Sequence, residues 1–264
     1  MSSGPVRTSC TDGTTSAAER RELLKEVYER ARGCTACQLH QTRTQVVFGA
    51  GNADADLMFI GEAPGADEDR LGLPFVGRAG KLLEQLLGEI GLDRADVFIA
   101  NCLKCRPPGN RDPYPNEIEC CSGYLRSQVE LIEPKVICTL GNFSTKLLRG
   151  DSTGISRLHG RDEIRLIGAR AIRLLPLFHP AAALYTPSNL QTLRDDFARI
   201  PELLALDPPP QPETAIVAVS EPAIPEPTAA EPEPVEPEPA EPERVEAEAE
   251  PAGEPPEPTQ LGLF

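Results

Sequence analysis

The sequence predicts a three-layer α/β/α sandwich with a central, mainly parallel four-stranded sheet, followed by a disordered acidic C-terminal tail. Short apolar runs rich in β-branched residues recur at wide intervals, at residues 57–60, 97–103, 135–141 and 171–178. Helical patterns at residues 79–91 and 115–133 separate the first three runs. Alternation of strands with helices is typical of a parallel sheet that is covered by helices on both faces.

The remaining elements are consistent with this architecture. Residues 17–32 place apolar side chains at helical spacing and predict an amphipathic helix. Pro115 suits the first turn of the helix at 115–133, because that position needs no backbone N–H. Residues 163–175 predict a hairpin or an excursion at the sheet edge, and residues 189–206 predict a closing helix.

Most of the net negative charge of the chain lies in its C-terminal tail. The formal net charge is −15, and residues 208–264 contribute −13 of it through 14 Glu and one Arg. Residues 1–207 therefore carry only −2, so the overall charge is no argument against a polyanionic partner. The Pro/Glu alternation of the tail buries too little apolar surface to offset its ordering entropy, which predicts disorder.

We divide the chain into a flexible N-terminus (1–16), a compact domain (17–206), a disordered Pro/Glu-rich tail (207–259) and a terminal pentapeptide (260–264). Residues 1–16 lack the basic start and apolar stretch of a signal peptide. No run reaches the ~18 apolar residues of a membrane span. We therefore expect a monomeric, cytoplasmic protein without a membrane partner. Its eight cysteines are then expected to be ligands or buried thiols rather than disulfides.

Three predicted strand-end loops hold the informative residues. They read GEAPGADEDRLGLPFVGRAG (61–80), NCLKCRPPGNRDP (101–113) and FHPAAALYTPS (178–188). The first loop has neither the Lys-Ser/Thr ending of a phosphate-binding P-loop nor the G-x-G-x-x-G dinucleotide fingerprint. Ligands of open α/β sheets bind at the carboxyl ends of the strands, so we expect these loops to meet at one rim.

Together these three loops resemble the motifs of the family 4 uracil-DNA glycosylases, the iron–sulfur branch of their superfamily. The resemblance covers about residues 20 to 200. It implies an enzyme that flips uracil out of DNA and hydrolyses its N-glycosidic bond, leaving an abasic site. A related branch forms a covalent adduct through a histidine in a KRRIH loop, and this chain has no such insertion between Lys104 and Pro115.

The resemblance implies a pocket for the extruded base. Ala63 and Pro64 match positions that contact the base, Phe75 matches the position that stacks on it, and Asn101 matches the residue that reads its pairing edge. A side-chain amide offers both a donor and an acceptor, which suits the distinction between uracil and cytosine. The plain alternatives are a core phenylalanine for Phe75 and a turn-forming asparagine for Asn101.

Three further residues resemble family positions that serve the reaction. Glu62 and Glu68 are the carboxylates that would stabilise the cationic sugar and handle water, with Glu62 our first choice. His179 would donate a hydrogen bond to the uracil oxygen as negative charge develops. The alternatives are acids in solvent and a histidine in an ordinary turn, while His40 and His159 are expected to be surface or structural residues.

The same rim is expected to meet DNA. Lys104 and Arg106 would contact phosphates, together with Arg78, Lys81 and Arg111. Leu184 and Tyr185 are the candidates for an apolar wedge that fills the space left by the flipped base. Each basic residue taken singly also suits a solvated surface charge.

The cysteine spacing predicts a metal site. Cys34 and Cys37 form a Cys-x-x-Cys pair that, with Cys102 and Cys105, would make a four-thiolate structural zinc site. The resemblance instead implies a 4Fe-4S cluster held by Cys34, Cys37, Cys105 and Cys121. Cys102 is then expected to point into the core.

The last five residues, QLGLF, resemble the pentapeptides by which bacterial proteins bind the replicative sliding clamp, with contacts from Gln260, Leu261, Leu263 and Phe264. An accidental apolar terminus is the alternative. Two other readings of the whole chain stay open at this point. One is a non-catalytic iron–sulfur adaptor that binds DNA and the clamp, and the other is an adduct-forming relative of the same superfamily.

Overall fold

The computed structural model describes residues 15–212, except for the side chain of residue 187. The predictions for residues 1–14 and 213–264, including the disordered tail and the terminal pentapeptide, lie outside the described residues.

The described chain forms one twisted sheet. Its strands are β1 (Ala50–Gly51), β2 (Leu57–Gly61), β3 (Phe98–Asn101), β4 (Val136–Leu140), β5 (Glu163–Ile167) and β6 (Arg170–Leu177). The spatial order is β1-β3-β2-β4-β6-β5. The four central strands run parallel, and β1 and β5 add antiparallel edges.

The prediction of a four-stranded sheet was therefore wrong in number, because the sheet has six strands. The four predicted runs are the four parallel strands. The strand β1 has two residues, too short to produce a periodic pattern. The strand β5 is the first half of the hairpin expected at 163–175, and it pairs with β6 from Glu163 to Ile167.

Nine α-helices lie within residues 15–212. They are α1 (Ala17–Arg32), α2 (Ala66–Leu71), α3 (Arg78–Glu89), α4 (Pro115–Ile132), α5 (Asn142–Arg149), α6 (Ile155–Leu158), α7 (Pro180–Ala183), α8 (Pro187–Phe197) and α9 (Ile200–Ala205). The predicted bounds of α1 match the structure. The predicted single closing helix is instead α8 and α9, since Pro201 lacks the N–H that a continuous helix would need.

Two apolar layers enclose the sheet. On one face Phe59, Leu83 and Phe197 belong to a buried cluster that joins the sheet to α3 and α8. On the other face Met58 and Val129 belong to a second cluster under α1 and α4. Because Met58 and Phe59 are adjacent in β2 and point to opposite faces, both sides of the sheet are covered. This is the predicted three-layer sandwich.

The topology brings the informative loops together. The central strands β2, β3 and β6 all end at the same edge, where the chain continues into Glu62, Cys102 and Phe178. None of the described helices is long and apolar enough to cross a membrane.

Candidate active site

A cavity opens where β2 ends. The strand ends at Gly61, and the next residue, Glu62, lies at the mouth of a cavity of about 260 Å³. The lining residues are Glu62, Ala63, Pro64, Gly65, Pro107, Asn110, Arg111 and His179. Residues from all three predicted loops therefore share one cavity.

Asn101 and Phe75 meet across a glycine at this edge. A Cβ on Gly61 would lie 2.4 Å from Asn101 Oδ1 and 2.7 Å from the ring of Phe75. Glycine therefore lets these two side chains approach the end of β2. The Oδ1 atom of Asn101 is buried and has no hydrogen-bond partner within the described residues. A buried acceptor without a partner costs free energy, which indicates a site for a ligand donor.

The backbone of Phe75 is held in an unusual conformation. Its φ is 52°, a left-handed value that non-glycine residues seldom adopt. Arg94 donates hydrogen bonds to the carbonyls of Pro74 and Phe75, the latter at 3.0 Å. A Cβ on Gly80 would lie 1.8 Å from the carbonyl oxygen of Phe75, so a glycine in α3 permits this close approach. The loop is thereby fixed from two sides.

The carboxylate of Glu68 braces the same loop. It accepts hydrogen bonds from the backbone N–H groups of Gly65, Val76 and Gly77 at 3.1, 3.0 and 3.1 Å. Three amide donors fix both carboxylate oxygens. Glu68 therefore connects the start of α2 to the residues that follow Phe75.

His179 packs beside the ring of Phe75. The ring centroids are 5.7 Å apart and the ring planes are inclined by 27°. The Nδ1 atom of His179 accepts from the backbone N–H of Ala181 at 3.1 Å, which leaves the proton of a neutral ring on Nε2. Burial lowers the pKa of His179 to about 4, although the negative charge of Glu68 acts in the opposite direction. At neutral pH the ring is an uncharged donor.

The environment of Glu62 disfavours the charged form of its carboxyl group. Partial burial raises the pKa of its carboxyl above the ordinary value, and the negative charge of Asp112 adds to this rise. No hydrogen bond within the described residues is made by the Glu62 side chain. Its carboxylate is therefore available to a ligand in the cavity.

The predicted phosphate contact of Lys104 is wrong. Its side chain is 1% exposed, and its Nζ donates to Asn101 O at 2.8 Å and to Gln128 Oε1 at 2.6 Å. Arg106 is half-buried and donates to Asn110 Oδ1 at 2.8 Å, which leaves part of its guanidinium on the rim. The sequence shows that Lys104 is charged, but the direction of its side chain depends on how α4 packs against the loop.

The segment after α7 presents the exposed side chains expected of a wedge. Leu184 is 39% exposed and Tyr185 is 72% exposed. The hydroxyl of Tyr185 accepts from Arg78 Nη2 at 2.9 Å. This contact links the segment to the first residue of α3. Ala183 is buried, so it cannot act as a wedge.

A second cavity, which we call the cysteine cavity, lies where α1, the loop after β3 and α4 meet. Five cysteines line it: Cys34, Cys37, Cys105, Cys120 and Cys121. Cys102 lies outside it in the apolar cluster under α1 and α4, as expected from the sequence.

Hydrogen bonds distinguish the cysteines of this cavity. The Sγ atoms of Cys105 and Cys121 accept from Arg43 Nη1 at 3.3 Å and from Lys104 N at 3.2 Å. The thiol of Cys120 instead donates to the carbonyl of Ala36 at 3.3 Å. A thiolate ligand accepts N–H groups, as a neutral thiol does more weakly, whereas donating requires a protonated thiol.

The cysteine cavity has the donor chemistry of a thiolate metal site. Within residues 15–212 no three His, Cys, Asp or Glu side chains are arranged to hold one metal ion. A zinc site needs four ligands about 2.3 Å from a single point. The thiolates of a four-iron cluster would bind different irons, so they would surround a volume instead. The donor chemistry of the five sulfurs that line the cavity suits either group.

Comparisons with known proteins show the family to which the chain belongs. The family model of the uracil DNA glycosylase superfamily matches residues 48–204. A type-4 uracil-DNA glycosylase from Archaeoglobus fulgidus is 46% identical over 187 residues, which cover 69% of this chain and 94% of the relative. A type-4 uracil-DNA glycosylase from Thermotoga maritima is 46% identical over 171 residues, which cover 64% and 88%. The chain belongs to the type-4 branch of the uracil-DNA glycosylase superfamily.

A type-5 uracil-DNA glycosylase from Pyrobaculum aerophilum is also similar, with 28% identity over 172 residues that cover 58% of this chain and 71% of the relative.

Three residues that line the cavity of this chain were not predicted from its sequence: Gly65, Pro107 and Asn110. Pro107 and Asn110 line it, and Asn110 adopts a left-handed φ of 56°. Both lie in the loop 101–113, and a Pro-Pro-Gly-Asn turn after a strand was the available signal. His40 and His159 bind Cys37 O and Asp196 instead and do not line the cavity.

The protonation of His179 can be tested by NMR. We expect the ring to stay neutral at pH 5.5 and to titrate with a midpoint near pH 4, because burial disfavours the charged form. In the unfolded chain the pKa is about 6.5. The unfolded state therefore takes up the proton first as pH falls, so this contribution to stability is complete above pH 6.5 and is lost between pH 6.5 and 4. A native midpoint near 6.5 for the resonance that disappears in His179→Ala would contradict this assignment.

Proposed function

We propose that this chain is a uracil-DNA glycosylase that flips uracil out of DNA and hydrolyses its N-glycosidic bond, leaving an abasic site. The observation that carries the proposal is the buried, unpartnered Oδ1 of Asn101, which meets the ring of Phe75 at Gly61. Gly61 directly precedes Glu62, which lines the cavity with His179, whereas Asn101 and Phe75 do not line that cavity themselves. Membership of the type-4 branch supports the same activity.

Base recognition follows from this arrangement. The N3 atom of uracil carries a hydrogen, whereas N3 of cytosine carries a lone pair. The carbonyl oxygen of the Asn101 side chain accepts a hydrogen bond from uracil and repels cytosine at the same position. Phe75 offers an aromatic face for stacking, and Ala63 and Pro64 form part of the cavity wall. The distinction between uracil and cytosine therefore depends on Asn101 Oδ1, an acceptor that has no donor among the described residues.

Bond cleavage places opposite charges at the two ends of the cavity. As the bond between C1′ and N1 breaks, the sugar becomes oxocarbenium-like and uracil leaves as an anion. The neutral Nε2–H of His179 donates to a uracil carbonyl oxygen, where the negative charge accumulates. The carboxylate of Glu62 stabilises the sugar cation and positions the water that adds hydroxide to C1′. The proton of that water passes to the carboxylate and then to solvent.

The two carboxylates have different roles in this proposal. The Glu62 side chain makes no hydrogen bond within the described residues and lines the cavity, so it suits the handling of water. Both oxygens of Glu68 are engaged by three loop amides, so it suits the positioning of Phe75. Glu68 also places a negative charge near His179, which favours a proton on that ring.

DNA binding uses the rim of the cavity. Arg106 lies half-exposed beside Asn110, where its guanidinium suits a phosphate. Leu184 and Tyr185 project beyond α7 and supply the apolar surface that replaces the extruded nucleotide. The catalytic domain is expected to act as a monomer.

An oligonucleotide assay tests the enzyme and its residues. Single-stranded and duplex DNA carrying one uracil is incubated with protein, and abasic sites are cleaved with alkali. We expect wild-type cleavage, a loss of about 10²- to 10³-fold for His179→Ala and of about 10²- to 10⁴-fold for Glu62→Gln. Asn101→Ala should reduce kcat/KM for uracil because it removes the acceptor. Glu26→Gln, on the exposed face of α1, serves as the control.

The outcomes separate the candidate functions. Equal activity of wild type and both variants would remove the assigned roles, and an inactive wild type would favour the adaptor. A protein–DNA band that survives a denaturing gel would reveal the adduct-forming chemistry. Since burial raises the pKa of Glu62, the wild-type rate should fall as pH decreases, and this dependence should disappear in Glu62→Gln.

We also propose that Cys34, Cys37, Cys105 and Cys121 hold a 4Fe-4S cluster in the cysteine cavity. The hydrogen bonds to the sulfurs of Cys105 and Cys121 support this set, and the donating thiol of Cys120 argues against its use as a ligand. Such a cluster supplies a cross-link between α1, the loop after β3 and α4, and it takes no part in bond cleavage.

Neighbouring cysteines provide a matched test of the cluster ligands. Purified anaerobically, the wild type is expected to be brown with about four irons per chain. Cys121→Ser should lose iron and visible absorption, whereas Cys120→Ser should retain both. A colourless, zinc-containing wild type, or loss of iron from Cys120→Ser instead, would contradict the proposed set.

The terminal pentapeptide, which lies outside the described residues, is proposed to bind the bacterial sliding clamp. An apolar terminus at the end of a long Pro/Glu-rich segment suits capture by a groove. Deletion of residues 260–264 is expected to abolish binding to immobilised clamp and to leave glycosylase activity unchanged. Equal clamp affinity of the full-length and truncated proteins would refute the proposal.

A further inference from the structure

Lys104 is a buried cation that the mechanism above does not use. Its side chain is 1% exposed, and within residues 15–212 no Asp or Glu forms an ion pair with its ammonium. Burying an ammonium costs free energy, so polar partners have to compensate. The identity of those partners indicates what the residue does.

The ammonium binds the main chain of the base-reading residue. Its Nζ donates to the carbonyl of Asn101 at 2.8 Å and to Gln128 Oε1 at 2.6 Å. The ring of Phe48 lies 5.8 Å from Nζ. Gln128 is itself fixed, because its Nε2 donates to the carbonyl of Phe48 at 2.8 Å. The ammonium therefore joins the end of β3 to a rigid side chain of α4.

The segment between Asn101 and Lys104 also forms hydrogen bonds with Gly61 and Glu62 at the end of β2. The backbone N–H of Cys102 donates to Gly61 O at 2.9 Å, and that of Leu103 donates to Glu62 O at 3.0 Å. The orientation of the turn after β3 thus affects Asn101 and the backbone of Glu62 together. Lys104 stabilises this turn by donating a hydrogen bond to the carbonyl of Asn101, the first residue of the turn.

We propose that Lys104 is a positioning residue for base recognition, whose ammonium fixes the Asn101 carbonyl and thereby the side-chain amide that meets uracil. Without this contact the backbone at the end of β3 has a free acceptor and can rotate. The amide then loses its fixed direction toward the base. The inference rests on the proposed function, since it assigns Lys104 to the recognition step of that reaction.

The test uses Lys104→Met in the full-length, iron-loaded protein, since methionine keeps an unbranched side chain but removes the charge and the donors. We expect wild-type circular dichroism and iron content, weaker inhibition by free uracil and a kcat/KM lower by on the order of tenfold. Lys135→Met is the control. Lys135 is paired with Asp56 at the opposite end of the sheet, and this variant should behave as wild type.

A double-mutant cycle distinguishes positioning from general damage. If Lys104 acts through Asn101, Lys104→Met should change kcat/KM by less than about threefold once Asn101→Ala is present. Full additivity of the two changes, or wild-type inhibition by uracil in Lys104→Met, would overturn the inference.

A second variant covers the case in which Lys104→Met does not fold. Gln128→Glu keeps the shape of the partner but offers the ammonium a carboxylate, which draws it away from the Asn101 carbonyl. Weaker inhibition by free uracil is the expected result, and unchanged inhibition would overturn the inference. If the wild type cleaves uracil-containing DNA and both variants behave like it, the role of Lys104 is rejected and the proposed function stands. An inactive wild type would reject the proposed function first.

Discussion

The candidate site depends on the close approach of two side chains across a residue without a Cβ. At Gly61 the ends of β2 and β3 are adjacent, and Asn101 and the ring of Phe75 occupy the space that any larger residue would take. A similar condition holds at Gly141, where a Cβ would lie 3.1 Å from Cβ of His179. Parallel strands place three loops at one edge, and these glycines let the side chains approach one another closely there.

The sequence predicted the layers and the meeting of three strand-end loops at one rim, whereas the roles of the residues in those loops came from the family resemblance. Glu62, Asn101 and His179 each lie at or just after the end of a strand, so the topology of a parallel sheet brings them to one rim. The cysteine spacing of the loop 33–37 is local and was visible without coordinates. Features that depend on local spacing or on strand order were therefore accessible.

Other features depend on tertiary packing and left no clear signal in the sequence. Lys104 reads as a surface charge until the buried Gln128 of α4 supplies its acceptor. The hydrogen bonds of Glu68 to the amides of Gly65, Val76 and Gly77 also depend on tertiary packing, and the sequence did not predict them. The two-residue strand β1 pairs with β3 through contacts that no periodic pattern reveals.

The contact between Tyr185 and Arg78 has a consequence for the encounter with DNA. A tyrosine that is 72% exposed would ordinarily sample several rotamers, and ordering it on association would cost conformational entropy. Here its hydroxyl is already tied to the guanidinium at the start of α3. In its proposed role as a wedge, Tyr185 would meet DNA with its ring already oriented, so the entropy cost of ordering the ring would be met once, during folding, rather than at every base pair that is probed.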